Sequence, residues 1–352
     1  MPFTPVESSI GGLLIGLSSS AHLFLTGEIS GMSGISGTCI RGVSVQARET
    51  FLSPAWIKSS LYMLGILVGG ALLRYLLAPQ QFLTIPSSSP AQYIMFALGG
   101  LLVGIGTQLA NGCTSGHMIC GLARLSKRSF AAVMTFCSVA FLMVKLFKSI
   151  DVLNGLLNKP TIEGEKLPFY TLPTWQYALI LCSILLAVVI VYAFVILLTK
   201  KAEKVRPYFV YPIYAFDGFV FALGLGLSGM TQPTKVLGFF DVFGPHFDPS
   251  LVCVAVGAIM FDLILFQGYI LKLPAPVMGE SFCMPKVTNI DAKLIVGSAI
   301  FGVAWGALGI CPGPAFVSIA TLLPQILVFN LMFAVGVMLK FIAQANNILN
   351  VT

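Results

Sequence analysis

Cysteine is the residue in this chain best placed to do chemistry. Two of its eight cysteines sit at short breaks in otherwise uncharged, apolar sequence. The first break reads Asn111-Gly112-Cys113-Thr114-Ser115-Gly116-His117, the second Gly309-Ile310-Cys311-Pro312-Gly313-Pro314. Gly112 permits a tight turn, and Thr114, Ser115 and Gly116 can start a helix; Pro312 and Pro314 suit the first turn of another, with Gly313 between them. A helix N-terminus presents unpaired N–H groups and the positive end of a dipole, so each break is a candidate anion site with a thiol at its edge. Neither break offers a Lys or Arg. That suits conduction, which needs weak, repeated sites. A thiol in apolar surroundings stays protonated and is a weak donor. A chain of such thiols could pass a soft, sulfur-bearing anion by successive S–H···S contacts, and hard anions such as sulfate would gain less.

The competing reading makes Cys113 and Cys311 small packing residues at tight turns. The repetition of the break together with its cysteine favours a path. Cys39, in the Gly-rich stretch Ile35-Ser36-Gly37-Thr38-Cys39-Ile40-Arg41-Gly42, fits either role. Cys120 lies seven residues after Cys113, on one helical face with it, and can line the path or pack. Cys137, Cys182 and Cys253 read as small buried hydrophobes in continuous apolar runs, and Cys283 as a local structural or partner residue. Asp217 and Asp262 fall within apolar spans, where a carboxyl is costly; each either couples to protons or bonds a neighbouring helix. His22 and His117 could titrate near neutral pH, or be satisfied hydrogen-bonders. Gln108, Asn111 and Gln232 are possible neutral donors along a path, and Glu28 and Lys235 a possible pair.

The elements that must position these groups are membrane spans. Of 352 residues, 57% are hydrophobic and only 9% charged, against about 25% in soluble domains. No Asp, Glu, Lys or Arg lies between Arg74 and Arg124, or between Lys293 and Lys340. This is an all-α integral membrane protein, embedded in the lipid bilayer as a single domain. The net charge of +7 sits in loops, where it sets topology and meets anionic lipid; it does not point to nucleic acid. The N-terminal residues Met1 to Gly12 carry no Lys or Arg, which argues against a cleaved signal peptide. No CxxC pair, metal-spaced His/Cys cluster or nucleotide-binding motif is present, so no metal, cofactor or direct use of ATP is expected.

Nine apolar segments are predicted, at about 10–27, 57–78, 92–111, 130–147, 173–199, 209–229, 250–271, 293–310 and 318–340. Four short pieces at 28–42, 112–124, 231–244 and 311–317 read as re-entrant loops or half-helices, because irregular backbone at membrane depth must be buried in protein or line a cavity. The halves look duplicated. An offset of 198 matches Gly99 to Gly297, Gly104 to Gly302, Cys113 to Cys311 and Ser30-Gly31-Met32-Ser33 to Ser228-Gly229-Met230-Thr231; a rival offset of 207 matches Gly31 to Gly238. The expected layout is a first repeat over 1–150, a linking transmembrane helix at 173–199 and an inverted second repeat over 207–345. An outside N-terminus and cytoplasmic C-terminus put 14 of the 20 Lys and Arg, including Arg48 and Lys286, in inner loops. Segment 145–172 is then the largest external loop.

Three stretches resemble the signatures of the YeeE/YedE sulfur-transport family: Gly112 to Leu122 (GCTSGHMICGL), Ser228 to Asp241 (SGMTQPTKVLGFFD) and Gly309 to Ala315 (GICPGPA). The resemblance covers most of the chain except 145–206. It implies a bacterial inner-membrane protein of hourglass shape that takes up thiosulfate, passing it along central cysteines with no cofactor and no stable covalent intermediate. Cys113 and Cys311 match those cysteines. Some members also have a cysteine in the first Leu-Thr-Gly segment, where this chain reads His22-Leu23-Phe24-Leu25-Thr26-Gly27; Cys39 is a candidate substitute for Phe24. A small cytosolic sulfur-carrier protein often accompanies the family, and the inner loop 272–293 is its candidate dock. Relatives linked to selenium leave the cargo open to other sulfur or selenium species. A third reading is a membrane thiol enzyme, sulfurtransferase-like, which needs an activated thiolate beside a base or cation. His117 is near Cys113 in sequence, but Cys311 has no His, Lys or Arg within 15 residues on either side, and the chain is read as a transporter rather than an enzyme.

Overall fold

A computed structural model of the chain describes residues 3–43, 51–83, 89–147, 155, 170–201, 204, 206–285 and 287–345. The described residues are overwhelmingly helical and contain no strand, only an isolated bridge between Phe3 and Tyr170. In chain order the helices are α1 (Pro5–Thr26), α2 (Met32–Val43), α3 (Pro54–Leu72, prolonged by a wide turn to Leu77), α4 (Pro90–Ala110), α5 (Thr114–Gly121), α6 (Lys127–Phe147), α7 (Trp175–Lys201), α8 (Arg206–Leu227), α9 (Pro233–Phe240), α10 (Ser250–Gly268), α11 (Ala292–Leu308), α12 (Pro312–Val317) and α13 (Pro324–Ala345). Eight are long and apolar enough to cross a membrane. α11 has 17 residues, about 25 Å. With α12 and its extension to Thr321 it forms a pair bent by 49°, which makes eight spans, or nine if the bent pair is one span. The protein is therefore a multi-pass membrane protein.

Local chemistry explains where the helices start and stop. Pro occupies the first turn of α1, α3, α4, α9 and α12, where its missing N–H costs nothing. Ser89 and Gln92 form a reciprocal capping box at α4, and Asp291 accepts from the Leu294 N–H at α11. α1, α4 and α11 each end on a left-handed residue: Gly27, Asn111 and Gly309.

The order long, short, long, long, short, long runs through α1–α6 and again through α8–α13. The packing follows the same pattern. α1 lies on α10 and α8 on α3; α4 lies on α13 and α11 on α6; α1 meets α8 and α4 meets α11. The element starts differ by 201 residues for α1/α8 and α2/α9, and by 196 for α3/α10. The offset of 198 holds at the cysteine breaks, where Asn111 matches Gly309 and Cys113 matches Cys311. α7 stands outside this arrangement, with Leu179, Leu186, Ile190, Phe194 and Leu197 exposed along it.

Two expectations are corrected. Glu28 pairs with Lys58 at 3.1 Å rather than with Lys235, whose ammonium donates to Thr4 Oγ1. Cys182 is exposed on α7, and Cys137 and Cys253 are half-buried, so these three are not core residues. Arg48, Lys286 and most of the proposed external loop, 148–154 and 156–169, lie outside the described residues.

Helices cross closely where glycine faces backbone. A Cβ on Gly65 of α3 would fall on the Ala215 carbonyl of α8, and one on Gly218 of α8 on the Tyr62 carbonyl of α3. Gly65→Leu should lower the Tm of the purified protein, overpacking costing about 1–3 kcal/mol or more. Gly34→Ala, where nothing lies within 4 Å of the added carbon, should leave Tm unchanged or raise it. Equal Tm for both variants and wild type would contradict this packing.

Candidate functional site

Both cysteines of the breaks occupy the same structural position. α4 closes at Asn111 with φ 58°, and α11 at Gly309 with φ 68°. Two residues later Cys113 and Cys311 are extended and serve as the N-caps of α5 and α12. The left-handed turn reverses the chain, and the extended cysteine begins the next helix, so each thiol is held where one helix ends and another starts. Gly309 has little choice of residue: a Cβ there would meet the Pro233 backbone, and φ is positive.

The fold brings the two breaks together. Thr114 Oγ1 lies 2.8 Å from Cys311 Sγ, which sets the Cys311 thiol beside that of Cys113. Cys113 Sγ is also 3.3 Å from Ser115 Oγ and contacts Ser33. Ser115 Oγ accepts from the Met32 N–H at 3.0 Å, and Gln108 Nε2 donates to the Ser33 carbonyl at 3.1 Å, which places the start of α2 against the start of α5. Gly313 faces the same junction; a Cβ there would reach Leu225 at 3.0 Å and Met32 at 3.5 Å. The beginnings of α2, α5 and α12 thus converge on a buried pair of thiols and hydroxyls, whose partners carry no formal charge. Gly116, on α5, has open space where a Cβ would go. Such a cluster can offer S–H and O–H donors to a polarizable anion, and the helix starts add oriented N–H groups.

His117 is not a base for Cys113. Its Nε2 lies 3.2 Å from the Ala110 carbonyl and its Nδ1 3.1 Å from Ser129 Oγ. It ties α5 to α6 and satisfies a carbonyl freed by the break. Cys120 is buried and 3.2 Å from Ser19 Oγ of α1. Cys39 is half-buried on α2, seven residues beyond Met32, with Ser60 Oγ 3.8 Å from its sulfur. Gln232 uses its amide to hold the Gln80 and Phe82 carbonyls at 3.0 and 2.8 Å. Asp217 and Asp262 both bond to α1, through His22 at 2.7 Å and Ser20 at 2.6 Å. Phe24 is buried near the end of α1, whose last carbonyls accept from Val277, Met278 and Cys283 N–H groups at 2.7–3.1 Å. Cys283 is exposed on that loop. Sequence reasoning missed Ser33; its only signal was its place in the duplicated Ser-Gly-Met-Ser/Thr stretch.

Replacing His117 with Ala leaves a buried carbonyl and a buried hydroxyl unpaired, at about 1–3 kcal/mol for each such group. H117A should therefore lose thermal stability, whereas an unchanged Tm would mean that the break is held by other bonds.

Known proteins of related sequence include named transporters. Residues 3–142 match a family model described as Sulphur transport, and residues 211–348 one described as a family of unknown function (DUF6691). A protein of Xylella fastidiosa named "Probable transporter" is 40% identical over 124 residues, 35% of this chain and 82% of that protein. A second of that name from the same species is 35% identical over 127 residues, 36% of this chain and 83% of its own length. The "Thiosulfate transporter TsuA" of Spirochaeta thermophila is 31% identical over 114 residues, 32% of this chain and 33% of that protein. By the sulphur-transport match and the relatives it shares, the chain belongs to the YeeE/YedE sulfur-transport family.

Proposed function

We propose that this protein takes up thiosulfate or a closely similar soft sulfur oxyanion across the bacterial inner membrane. The observation that carries the reading is the contact of Cys113 and Cys311 with each other and with Thr114, at the N-caps of two helices. Thiosulfate presents a polarizable terminal sulfur and three oxygens. The sulfur meets S–H donors, and the oxygens meet the hydroxyls of Thr114 and Ser115 and the amides at the helix starts. The anion is exchanged from thiol to thiol without a covalent bond. The thiosulfate transporter among the relatives supports the same cargo.

The repeated helix order and exchanged packing support an inverted duplication, with the first repeat ending before α7 and the second beginning after it. The charge pattern supports an outside N-terminus and a cytoplasmic C-terminus. The loop around 272–293 then lies on the inner face, and we assign it as the dock for a small sulfur-carrier protein. A sulfurtransferase-like enzyme is the weaker reading because both ring nitrogens of His117 are engaged elsewhere. Selenium analogues of the same shape and softness fit the same site.

Uptake of sulfur-35 thiosulfate into cells lacking other importers tests the reading. C113A and C311A should each reach the membrane and lose uptake by roughly tenfold or more, equivalent to about 1.4 kcal/mol of barrier. C182A, altered on the exposed face of α7, should match wild type. Uptake by both central variants at the wild-type rate would exclude a thiol path. No uptake by wild type would exclude the cargo.

A further inference from the structure

α1 carries a polar run through its buried length: Ser18, Ser19, Ser20 and His22 are each 2% exposed or less. The corresponding stretch of α8, Phe219 to Leu223, is apolar. Each polar group of α1 bonds a different part of the bundle. Ser18 Oγ donates to the Asp217 carbonyl at 2.8 Å, Ser19 Oγ lies by Cys120, and Ser20 Oγ donates to Asp262. His22 Nδ1 is 2.7 Å from Asp217 Oδ2, and Tyr192 donates to Asp217 Oδ1 at 2.7 Å. Asp217 is fully buried and is held by α1 and α7 at once.

The surroundings of this pair lead to a partly exposed ion pair. The rings of Tyr62 (α3) and Tyr214 (α8) stand edge-on to His22, with centroids at 5.4 and 4.9 Å. The Lys58 ammonium lies 5.3 Å from the centre of the Tyr214 ring and 3.1 Å from Glu28, and that ion pair is partly exposed. Tyr214 also reaches Glu28, and Tyr62 reaches Ser30, two residues before Met32 at the thiol site. The hydroxyls of Tyr62, Tyr214 and Ser30 are buried without a well-aligned hydrogen-bond partner. Cys120 and Asp262 lie on other sides of α1, behind Ser19 and Ser20. The Glu28–Lys58 pair, the Tyr214 ring and the His22–Asp217 pair are therefore neighbours in that order. This is more than a helix-to-helix bond needs.

We propose that His22 and Asp217 form a proton-binding site that couples inward movement of the sulfur anion to inward movement of protons. The inference rests on the sulfur-anion reading. Thiosulfate carries two negative charges into a compartment that is electrically negative. Each proton carried with it cancels one of them. A proton taken from the outer side occupies the His22–Asp217 pair and leaves to the inner side past Tyr214 and Glu28; no bond to sulfur is made or broken.

The test uses the purified full chain in liposomes with sulfur-35 thiosulfate and an internal pH dye. Wild type should take up thiosulfate several-fold faster when the outside is more acidic, and the interior should acidify with it. Equilibrium exchange of labelled for unlabelled thiosulfate, which moves no net proton, should ignore the gradient. D217N should keep exchange but lose the response to the gradient. Where D217N fails to fold, Y192F decides, because it removes one hydroxyl from Asp217 and should shift the pH of half-maximal uptake. Exchange without any gradient response in wild type would overturn coupling while leaving the cargo intact. A D217N that is still driven by the gradient, or an unmoved Y192F profile, would overturn the site. Absence of exchange in wild type would overturn the cargo and the coupling with it.

Discussion

A helix that stops inside a bundle of membrane spans leaves its last carbonyls without partners, and lipid supplies none. α4 stops this way at Ala110 and α11 at Leu308. The surrounding structure answers that constraint. Left-handed turns return the Gly112 and Gly309 amides to the Thr107 and Trp305 carbonyls at 2.9 and 2.7 Å. His117 covers the Ala110 carbonyl, and Asn330 of α13 reaches across to the Ala315 carbonyl of α12 at 3.2 Å. What remains open is the start of the next helix, where backbone donors face inward beside a cysteine. The same interruption that would be a defect against lipid becomes a polar junction once protein surrounds it.

That junction also explains the distribution of small residues. Three helix starts can meet only if the long helices around them approach closely. Gly65 and Gly218 permit this between α3 and α8. The polarity of the interior is concentrated on α1, which bonds both buried carboxyls. Its partner helix α8 supplies Asp217 but otherwise packs with aliphatic and aromatic groups. The two helices therefore share the buried His22–Asp217 contact but differ in how much polarity each brings to it.

Much of this was legible in the residues. The uncharged runs between Arg74 and Arg124 and between Lys293 and Lys340 gave the spans, and Gly, Pro and Cys inside them gave the short helices. Cys113 and Cys311 could be paired because the break repeats at a constant offset. What could not be read was long-range partnership. Glu28 reached Lys58 on the neighbouring helix instead of Lys235, because charge type says nothing about which loops meet. His117 looked like a neighbour of Cys113, yet its ring turns to Ala110 and Ser129. Ser33 and Tyr192 are ordinary residues in sequence, and only three-dimensional packing gives them their partners.

α7 has one more consequence. It joins two six-helix sets that pack by exchange, each supplying half of the thiol junction. A tether of this kind makes the encounter of the sets intramolecular, so their effective concentration is set by the length of the link and not by expression level. Their stoichiometry is fixed at one to one, and neither set ever has to recognise a copy of itself. Freed from that demand, each set can keep a polarity of its own, as the run Ser18 to His22 on α1 shows.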